Sequence, residues 1–260
     1  MELRTLECIG LYVCPPLDRQ VSPKENIHKK QSDTWAAFYR RGEIIGLMLK
    51  DEILLTATKA YEGLLNREYI VTVGKNKKLE SYSLSFTKNE YKHIFGLQKL
   101  DDVPFLKHYA SAKVFEEVRE DADIRKKIVS SDFFYKISKR IENLADLEQH
   151  LDSFTELHKW DNKLAFNKVK SKIKADILIA SVSLKNSNDK VFIFFKKRND
   201  DTYSVTNFFT DDIALERTVT FVVDKKDYTR GQPRPATVLY KEKCDKRLQS
   251  KTILLDRLNK

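Results

Sequence analysis

Four residues of this chain have the side-chain types that cleavage of a phosphodiester requires: His93, Lys99, Arg140 and Ser204. Cutting RNA without a metal ion needs a base that takes the 2′-OH proton, an acid that protonates the departing oxygen, and cations that stabilise the charged phosphorus. A histidine suits the acid or base role, while a lysine, an arginine and a hydroxyl supply cations and donors. Each residue also has an ordinary structural interpretation, and its role depends on the elements that position it.

His93 lies in the most informative stretch of the sequence. Residues 81–86 alternate serine with apolar residues, which predicts a half-buried strand. Thr87 followed three residues later by Glu90 predicts a capping box, in which each side chain satisfies the other residue's amide, at the start of a short helix. Gly96 suits the left-handed residue that ends such a helix, which puts His93 in the last turn, where the dipole favours an imidazolium. His93 is therefore a candidate proton donor, with a surface or hydrogen-bonded core histidine as the alternative.

The other candidates lie farther along the chain. Arg140 sits between two apolar helix positions, Ile137 and Ile141, which predicts a partly shielded and positioned guanidinium. A surface helix arginine is the alternative. Ser204 and Thr206 stand at i and i+2 of a predicted strand and would share one face, turned either toward a ligand or simply toward solvent.

The charge of the chain points to a polyanionic partner. Its 260 residues include 48 Lys and Arg against 38 Asp and Glu, a net charge of +10, and the basic residues are spread along the whole length. Nucleic acid is the simplest such partner, because each neutralised phosphate releases a condensed counterion, although basic proteins also carry charge for solubility. Tyr228, Arg230 and Gln232 form a polar loop suited to phosphate contact or, alternatively, to a plain hairpin.

Several classes of chemistry lack their sequence signatures. The 7 glycines form neither GxxxxGK[ST] nor GxGxxG, the usual phosphate-binding loops for ATP and dinucleotides. The 5 histidines do not pair at a ligand spacing, and neither HExxH nor CxxC occurs. Glu90-Tyr91-Lys92 matches the ExK fragment of metal-dependent nucleases, but Glu90 is better explained as the capping partner of Thr87. The sequence predicts no metal and no cofactor.

Cysteine usage and hydropathy predict the compartment. The 3 cysteines stand at unrelated spacings, which fits a reducing environment. The N-terminus lacks the charged lead and apolar run of a signal peptide, and no later window reaches the length of a membrane span. We expect a cytoplasmic protein without a membrane partner.

The order of predicted elements indicates the fold. Residues 1–33 are expected to form an N-terminal arm and linker, because residues 15–33 are polar, rich in proline and without periodicity. Residues 34–260 are expected to form one domain. Its predicted elements are helices over 35–65 and from 115 to 151, a hairpin over 69–86, and strands at 177–182, 191–195, 203–209, 218–223 and 236–240. This order predicts an α+β fold in which a helical N-terminal half packs on a C-terminal antiparallel sheet.

Residues 92–100, KHIFGLQKL, resemble the HLTGL-x-KL signature of a phage-associated domain in the barnase/EndoU/colicin/RelE nuclease superfamily. The later order of motifs is also similar: Ser131 with Phe133 and Phe134, Arg140-Ile141, Ala175-Asp176 before a strand, residues 205–209, and Tyr228 with Gln232. The resemblance covers roughly residues 54–242, and the first fifty residues lie outside it. The chain departs from the signature at Ile94-Phe95, where the family tends to have Leu-Thr and therefore a hydroxyl.

The resemblance implies helices packed on an antiparallel sheet, a basic cleft for RNA, and His93 and Arg140 as functional residues. Ser131 lies within the matching order and joins Thr206 and the 228–232 loop among the expected nucleic-acid contacts. Members of this branch look like cargo of phages and integrating elements that act as toxins, conflict effectors or counter-defence factors. An antitoxin or a host defence protein is therefore an expected protein partner.

Two functions remain open on this basis. The first is a metal-independent endoribonuclease of a phage or mobile element, with His93 as acid or base and Arg140 and Lys99 on the phosphate. The second is a non-catalytic inhibitor that occupies a nucleic-acid or protein surface of a host defence system. The aromatic residues that the second function would expose, unless they belong to the core, are Phe192, Phe194, Phe208 and Phe209.

Overall fold

The computed structural model of the protein describes residues 46–75, 78–182, 184, 190–210 and 236–258. All of them belong to one compact unit, Ile45–Lys260. The predicted arm and linker, residues 1–33, lies outside the described residues, as does the strand predicted at 218–223.

Helices dominate the first part of the described chain and strands the last. The first helix, α1, covers residues 46–64. The other α-helices are α2 (Tyr91–Ile94), α3 (Phe105–His108), α4 (Ser111–Glu120), α5 (Ala122–Val129), α6 (Ser138–Leu144), α7 (Leu147–Ser153) and α8 (Asn162–Val169). The strands are β1 (Arg67–Lys75), β2 (Lys78–Ser85), β3 (Glu156–Lys159), β4 (Ile177–Val182), β5 (Lys190–Lys197), β6 (Tyr203–Thr210), β7 (Ala236–Asp245) and β8 (Ser250–Asp256). Short 3₁₀ turns cover Lys88–Glu90, Leu97–Lys99 and Phe134–Lys136.

The strands form one sheet in the order β1-β2-β6-β5-β4-β3-β7-β8. Strand β7 also pairs with β1, from Arg67 opposite Asp245 to Gly74 opposite Thr237. The first seven strands of that order therefore close on themselves as a barrel, and β8 pairs with the other edge of β7. Closure leaves few strand edges open to other chains.

The predicted α+β mixture is confirmed, but the division into a helical half and a C-terminal antiparallel sheet is not. The β1–β2 hairpin was correctly predicted from its alternating pattern, yet it belongs to the same sheet as the C-terminal strands. One neighbouring pair, β2 and β6, is parallel and matches Leu84 with Tyr203 and Ser85 with Ser204. The periodicity of a strand indicates which of its faces is buried, but not which strand lies beside it. This parallel pairing therefore could not be predicted from the local sequence.

Two apolar clusters, one on each face of the sheet, explain the uninterrupted apolar run of β5. Alternate residues enter different clusters: Val191, Ile193 and Phe195 join the main core with the helices, and Phe192 and Phe194 join a smaller cluster with Trp160. Ala165 of α8 belongs to the smaller cluster. Helices therefore cover both faces of this part of the sheet.

Candidate functional site

Strands β2 and β6 meet beside the helices that carry predicted site residues. The two strands pair at Leu84–Tyr203 and at Ser85–Ser204. Helices α2 and α6 pack against β6. Because α2 carries His93, α6 carries Arg140 and β6 carries Ser204, this packing brings three of the predicted site residues into one region of the fold.

Thr87 caps the helical segment before His93 as predicted, but its bonds are not those of the predicted capping box with Glu90. Thr87 has an extended backbone, and its hydroxyl oxygen accepts a hydrogen bond from the Asn89 amide at 3.3 Å. The Glu90 carboxylate accepts from the Thr87 hydroxyl and from Arg198 Nη2 at 3.4 Å. Glu90 therefore connects the start of this helical segment to the turn between β5 and β6.

The end of α2 depends on Gly96. Its φ of +73° lies in the left-handed region, and its amide donates to the His93 carbonyl at 3.1 Å. A Cβ atom on Gly96 would lie 2.8 Å from Arg140 Nη1 and 3.1 Å from Ile137 Cγ2. Glycine at this position therefore permits both the reversal of the backbone and the close approach of Arg140, and the first of these was predicted from the sequence.

Arg140 joins the end of α2 to β6. Its Nη1 donates to the His93 carbonyl oxygen at 3.4 Å, and its guanidinium carbon lies 4.7 Å from the centroid of the Phe209 ring. Arg140 is 6% exposed, which confirms the predicted shielding, while His93 is exposed. The backbone of an exposed histidine is therefore fixed by a buried arginine, and the guanidinium is further stabilised by the face of an aromatic ring.

Strand β6 carries a bulge at Thr206, beside the predicted site residue Ser204. Phe194 of β5 pairs with Asn207 and Phe195 pairs with Val205, so Thr206 is the extra residue, and its hydroxyl donates to the Phe194 carbonyl at 3.3 Å. Ser204 is 3% exposed, and its hydroxyl has no hydrogen-bond partner in the described part of the chain. Bulges commonly re-aim side chains next to functional sites.

A groove of about 510 Å³ contains both of these hydroxyl residues in its lining. Its lining residues are Glu90, Lys196, Lys197, Arg198, Asn199, Asp200, Ser204 and Thr206. Lys197 pairs with Asp201 at 2.7 Å, and Arg198 pairs with Glu90. By contrast, the Lys196 ammonium has neither a hydrogen bond nor an ion pair with any residue that the structure describes. The groove is therefore basic, and one of its cations is uncompensated among the described residues.

The remaining predicted site residues are distributed as follows. Lys99 is exposed in the 3₁₀ turn that follows Gly96. Ser131 donates to Asp102 Oδ1 at 2.6 Å and accepts from the Phe133 amide at 3.1 Å. The hydrogen bond from Ser131 holds the pKa of Asp102 below its ordinary value. The loop residues lie outside the described residues; they are Tyr228, Arg230 and Gln232.

Most of the aromatic residues that a binding surface would need belong to the core instead. Phe192, Phe194 and Phe208 are at most 2% exposed. Phe209 is partly buried against Phe194 and the Arg140 guanidinium. Three of the four rings are therefore unavailable for contact with a partner.

Two buried titratable groups lie outside the groove lining and support α7. The His150 ring is fully buried, with Nδ1 2.7 Å from Ser181 Oγ, and burial lowers its pKa. Lys241 Nζ donates to three backbone carbonyls at the end of α7, those of residues 151, 152 and 154, at 3.1, 2.7 and 2.8 Å. Burial lowers the pKa of Lys241 to about 8. These contacts hold the helix end against the sheet.

Neither a metal cluster nor a membrane span is found in the described ranges. Within residues 46–75, 78–182, 184, 190–210 and 236–258, no three His, Cys, Asp or Glu residues are grouped so that they could share a metal ion. Among the helices of this part of the chain, none is both long and apolar enough to cross a bilayer.

The basic groove was missed from the sequence. Its signal is the run Lys196-Lys197-Arg198 at the end of an apolar strand, followed by the turn residues Asn199 and Asp200. A run of like charges beside a turn is usually a solvated loop. These residues form a groove because Ser204 lies opposite Lys196 and because Glu90 pairs with Arg198, and both contacts depend on the fold.

Comparison with known proteins identifies the family of the chain. No curated protein and no solved structure matches the chain. A family model, described as phage-Barnase-EndoU-ColicinE5/D-RelE like nuclease4, matches residues 53–258. That range begins in α1, ends after β8 and contains the whole lining of the groove together with His93 and Arg140. Because most of the chain is matched, the protein belongs to this family of phage-associated nucleases, PBECR4.

Proposed function

We propose that the protein is a metal-independent endoribonuclease that cuts RNA through attack by the 2′-OH. Membership of a nuclease family supports nucleic acid as the substrate. The observation that carries the proposal is the position of His93: its ring is exposed, and it lies one helical turn after Glu90, which lines the basic groove. An exposed imidazole next to cations is the minimum that metal-free cleavage requires.

The proposed reaction needs one proton removed and one proton delivered. A base takes the 2′-OH proton, O2′ attacks the phosphorus, and the P–O5′ bond breaks as an acid protonates O5′. The products are a 2′,3′-cyclic phosphate and a 5′-hydroxyl. His93 acts as the acid or the base, because an imidazole can both accept and donate a proton. Lys99, exposed just beyond Gly96, and the Ser204 hydroxyl stabilise the charge on the phosphorus.

In this proposal Arg140 acts on His93 and not on the phosphate. The guanidinium is buried, stacks on Phe209 and donates to the His93 carbonyl. Those contacts favour a positioning role, because a phosphate would have to displace them. Arg140→Lys, which keeps the charge but loses the planar fork, is expected to lower the cleavage rate while leaving the salt dependence of RNA binding unchanged.

The test is cleavage of labelled RNA oligonucleotides and total RNA in EDTA, with the fragment ends identified. We expect the wild type to leave 2′,3′-cyclic phosphates and His93→Ala to lose about 10²–10⁴-fold in rate, the usual contribution of general acid–base catalysis. His108→Ala is the matched control, because His108 is also an exposed histidine on a short helix. Equal rates for His93→Ala and His108→Ala would remove His93 from the mechanism.

Intact RNA in the wild-type reaction would count against the enzyme and for the non-catalytic alternative. In that case tight, salt-dependent binding by both the wild type and His93→Ala identifies a binding protein or inhibitor. Loss of activity in EDTA, with recovery on addition of Mg²⁺ or Mn²⁺, would contradict metal independence while leaving a nuclease.

We further propose that the enzyme acts in the cytoplasm as a toxin or conflict effector of a phage or mobile element, restrained by an antitoxin or directed at a host defence system. Family membership supports the phage association. Induced expression is expected to stop bacterial growth, and His93→Ala is expected to relieve the arrest. The division between a residue 1–33 arm and a residue 34–260 nuclease domain stays a prediction, which limited proteolysis tests.

A further inference from the structure

The groove beside β6 contains two polar groups that have unused hydrogen-bonding capacity. Lys196 of β5 and Ser204 of β6 are directly opposed in the antiparallel ladder. Opposed residues lie on the same face of a sheet with their Cβ atoms roughly 4.5–5.5 Å apart. Within the described residues, neither the Lys196 ammonium nor the Ser204 hydroxyl has a partner.

The burial of Ser204 makes its lack of a partner informative. It is 3% exposed and lines the floor of the groove. A buried hydroxyl without a partner is unfavourable, and native proteins usually satisfy such groups with protein, water or ligand. The neighbouring hydroxyl of Thr206 already donates to the Phe194 carbonyl. Ser204 is therefore the hydroxyl in the groove with a hydrogen still available to a ligand.

The charges around this pair favour an anion. Arg198 follows the end of β5 and also lines the groove, and its Nη2 lies 3.4 Å from Glu90 Oε1. Lys197 is compensated by Asp201, and Asp200 accepts hydrogen bonds from the amide and hydroxyl of Thr202. The ammonium of Lys196 is thus the group through which the groove would attract an anion.

We infer that this groove binds a backbone phosphate of the RNA strand, held by Lys196, Ser204 and Arg198. A phosphodiester presents several acceptor oxygens, which suit an ammonium, a hydroxyl and a guanidinium that line the same groove. The groove volume of about 510 Å³ is within the range of small-molecule sites and accommodates a nucleotide. This inference rests on the proposed function for its ligand, and its test measures binding separately from cleavage.

The test separates binding from cleavage by using a fluorescein-labelled RNA 12-mer with 2′-O-methyl groups, which cannot be cut through its 2′-oxygens. Affinity is measured by fluorescence anisotropy at several salt concentrations. Lys196→Ala is expected to weaken binding about tenfold, the loss of one charge-assisted hydrogen bond, and to reduce the slope of log K against log salt by about 0.7. Lys127→Ala, an exposed lysine on α5 without a partner in the described part, is the control for net charge.

Ser204→Ala supplies the second variant. It removes an unsatisfied buried hydroxyl, so we expect a free protein at least as stable as the wild type, together with RNA binding weakened about threefold and an unchanged salt slope. A variant that binds less well although it is equally stable cannot be explained by misfolding.

Each outcome bears on the inference. Weaker binding by Lys196→Ala and Ser204→Ala than by Lys127→Ala supports the phosphate site, even if the wild type proves unable to cut unmodified RNA and the proposed nuclease activity fails. Binding by Lys196→Ala equal to that of Lys127→Ala overturns the site, even if cleavage by the wild type is confirmed. A wild type with no affinity for the 12-mer overturns it as well.

Discussion

Replacing Gly96 by alanine tests the geometry of the proposed site most directly. Two independent costs follow from the structure. A residue with a Cβ atom at φ +73° destabilises the folded state by roughly 1–2 kcal/mol relative to glycine. The new Cβ would also lie 2.8 Å from Arg140 Nη1 and 3.1 Å from Ile137 Cγ2. Overpacking of this kind costs about 1–3 kcal/mol. Together we expect Gly96→Ala to lower the free energy of unfolding by about 2–5 kcal/mol.

The assay is urea unfolding followed by circular dichroism, with Gly63→Ala as the matched control. Gly63 lies in α1, is exposed, and has no atom within 4 Å of the position that its Cβ would occupy. Alanine there should stabilise the protein by about 0.5–1 kcal/mol, because glycine is unfavourable within a helix. The same chemical change is therefore expected to have opposite signs at the two positions. Cleavage of RNA should fall in Gly96→Ala under conditions where it stays folded, since the clash displaces Arg140 from the His93 carbonyl.

A Gly96→Ala variant within about 0.5 kcal/mol of the wild type would refute this reasoning, because changes of that size are typical of ordinary surface positions. Such a result would mean that the turn after α2 does not need a left-handed residue or that Arg140 does not approach it. A stability loss without any loss of cleavage would separate the fold from the chemistry and remove Arg140 as a positioning residue.

Three further predictions concern the other buried or bonded polar groups. Because burial lowers the pKa of His150 from 6.5, the unfolded chain takes up protons before the folded chain does on acidification. The free energy of unfolding should therefore fall as the pH drops below about 6.5. Urea unfolding should show a less steep fall in His150→Gln than in His108→Gln, the control at an exposed histidine. The pKa of Lys241 is lowered from 10.5 to about 8, so between pH 8 and pH 10.5 the unfolded chain binds more protons than the folded chain. Over this range the free energy of unfolding of the wild type should rise with pH relative to that of Lys241→Met. A constant difference between the two proteins would contradict this. Ser131→Ala should lower the free energy of unfolding by about 1–2 kcal/mol, because it removes the hydrogen bonds of Ser131 to Asp102 and to the Phe133 amide. Reduced RNA affinity at unchanged stability would instead assign Ser131 to the RNA interface.

Local patterns predicted the elements whose burial follows a simple period. The alternation that runs through β2 gives buried Tyr82 and Leu84 in the strand and buried Phe86 just after it, and β4 begins and ends where its apolar run does. The cap at Thr87 and the left-handed residue at Gly96 were also predicted, because each depends on neighbours in the sequence. The ends of the helical segment from Lys88 to Ile94 are therefore set by local sequence.

Elements without such a pattern were missed. Strand β3 has four residues, of which Leu157 alone is buried, and β8 has no buried residue. Neither shows the apolar alternation that indicates a strand. The closure of the sheet and the parallel contact between β2 and β6 depend on residues far apart in the chain. The groove was missed for the same reason, since Lys196 and Ser204 become neighbours through strand pairing.

The pairing of β1 with β7 also determines when the sheet can be completed during synthesis. About 160 residues separate the two strands, so on a ribosome that adds about 5–20 residues per second β1 waits roughly 8–30 s for its partner. During that time one edge of β1 is open, and such edges pair readily with other chains. A polypeptide that ends before residue 236 lacks the strand that closes the barrel. The nascent chain therefore depends on late translation, and interrupted products are the ones most exposed to aggregation and degradation.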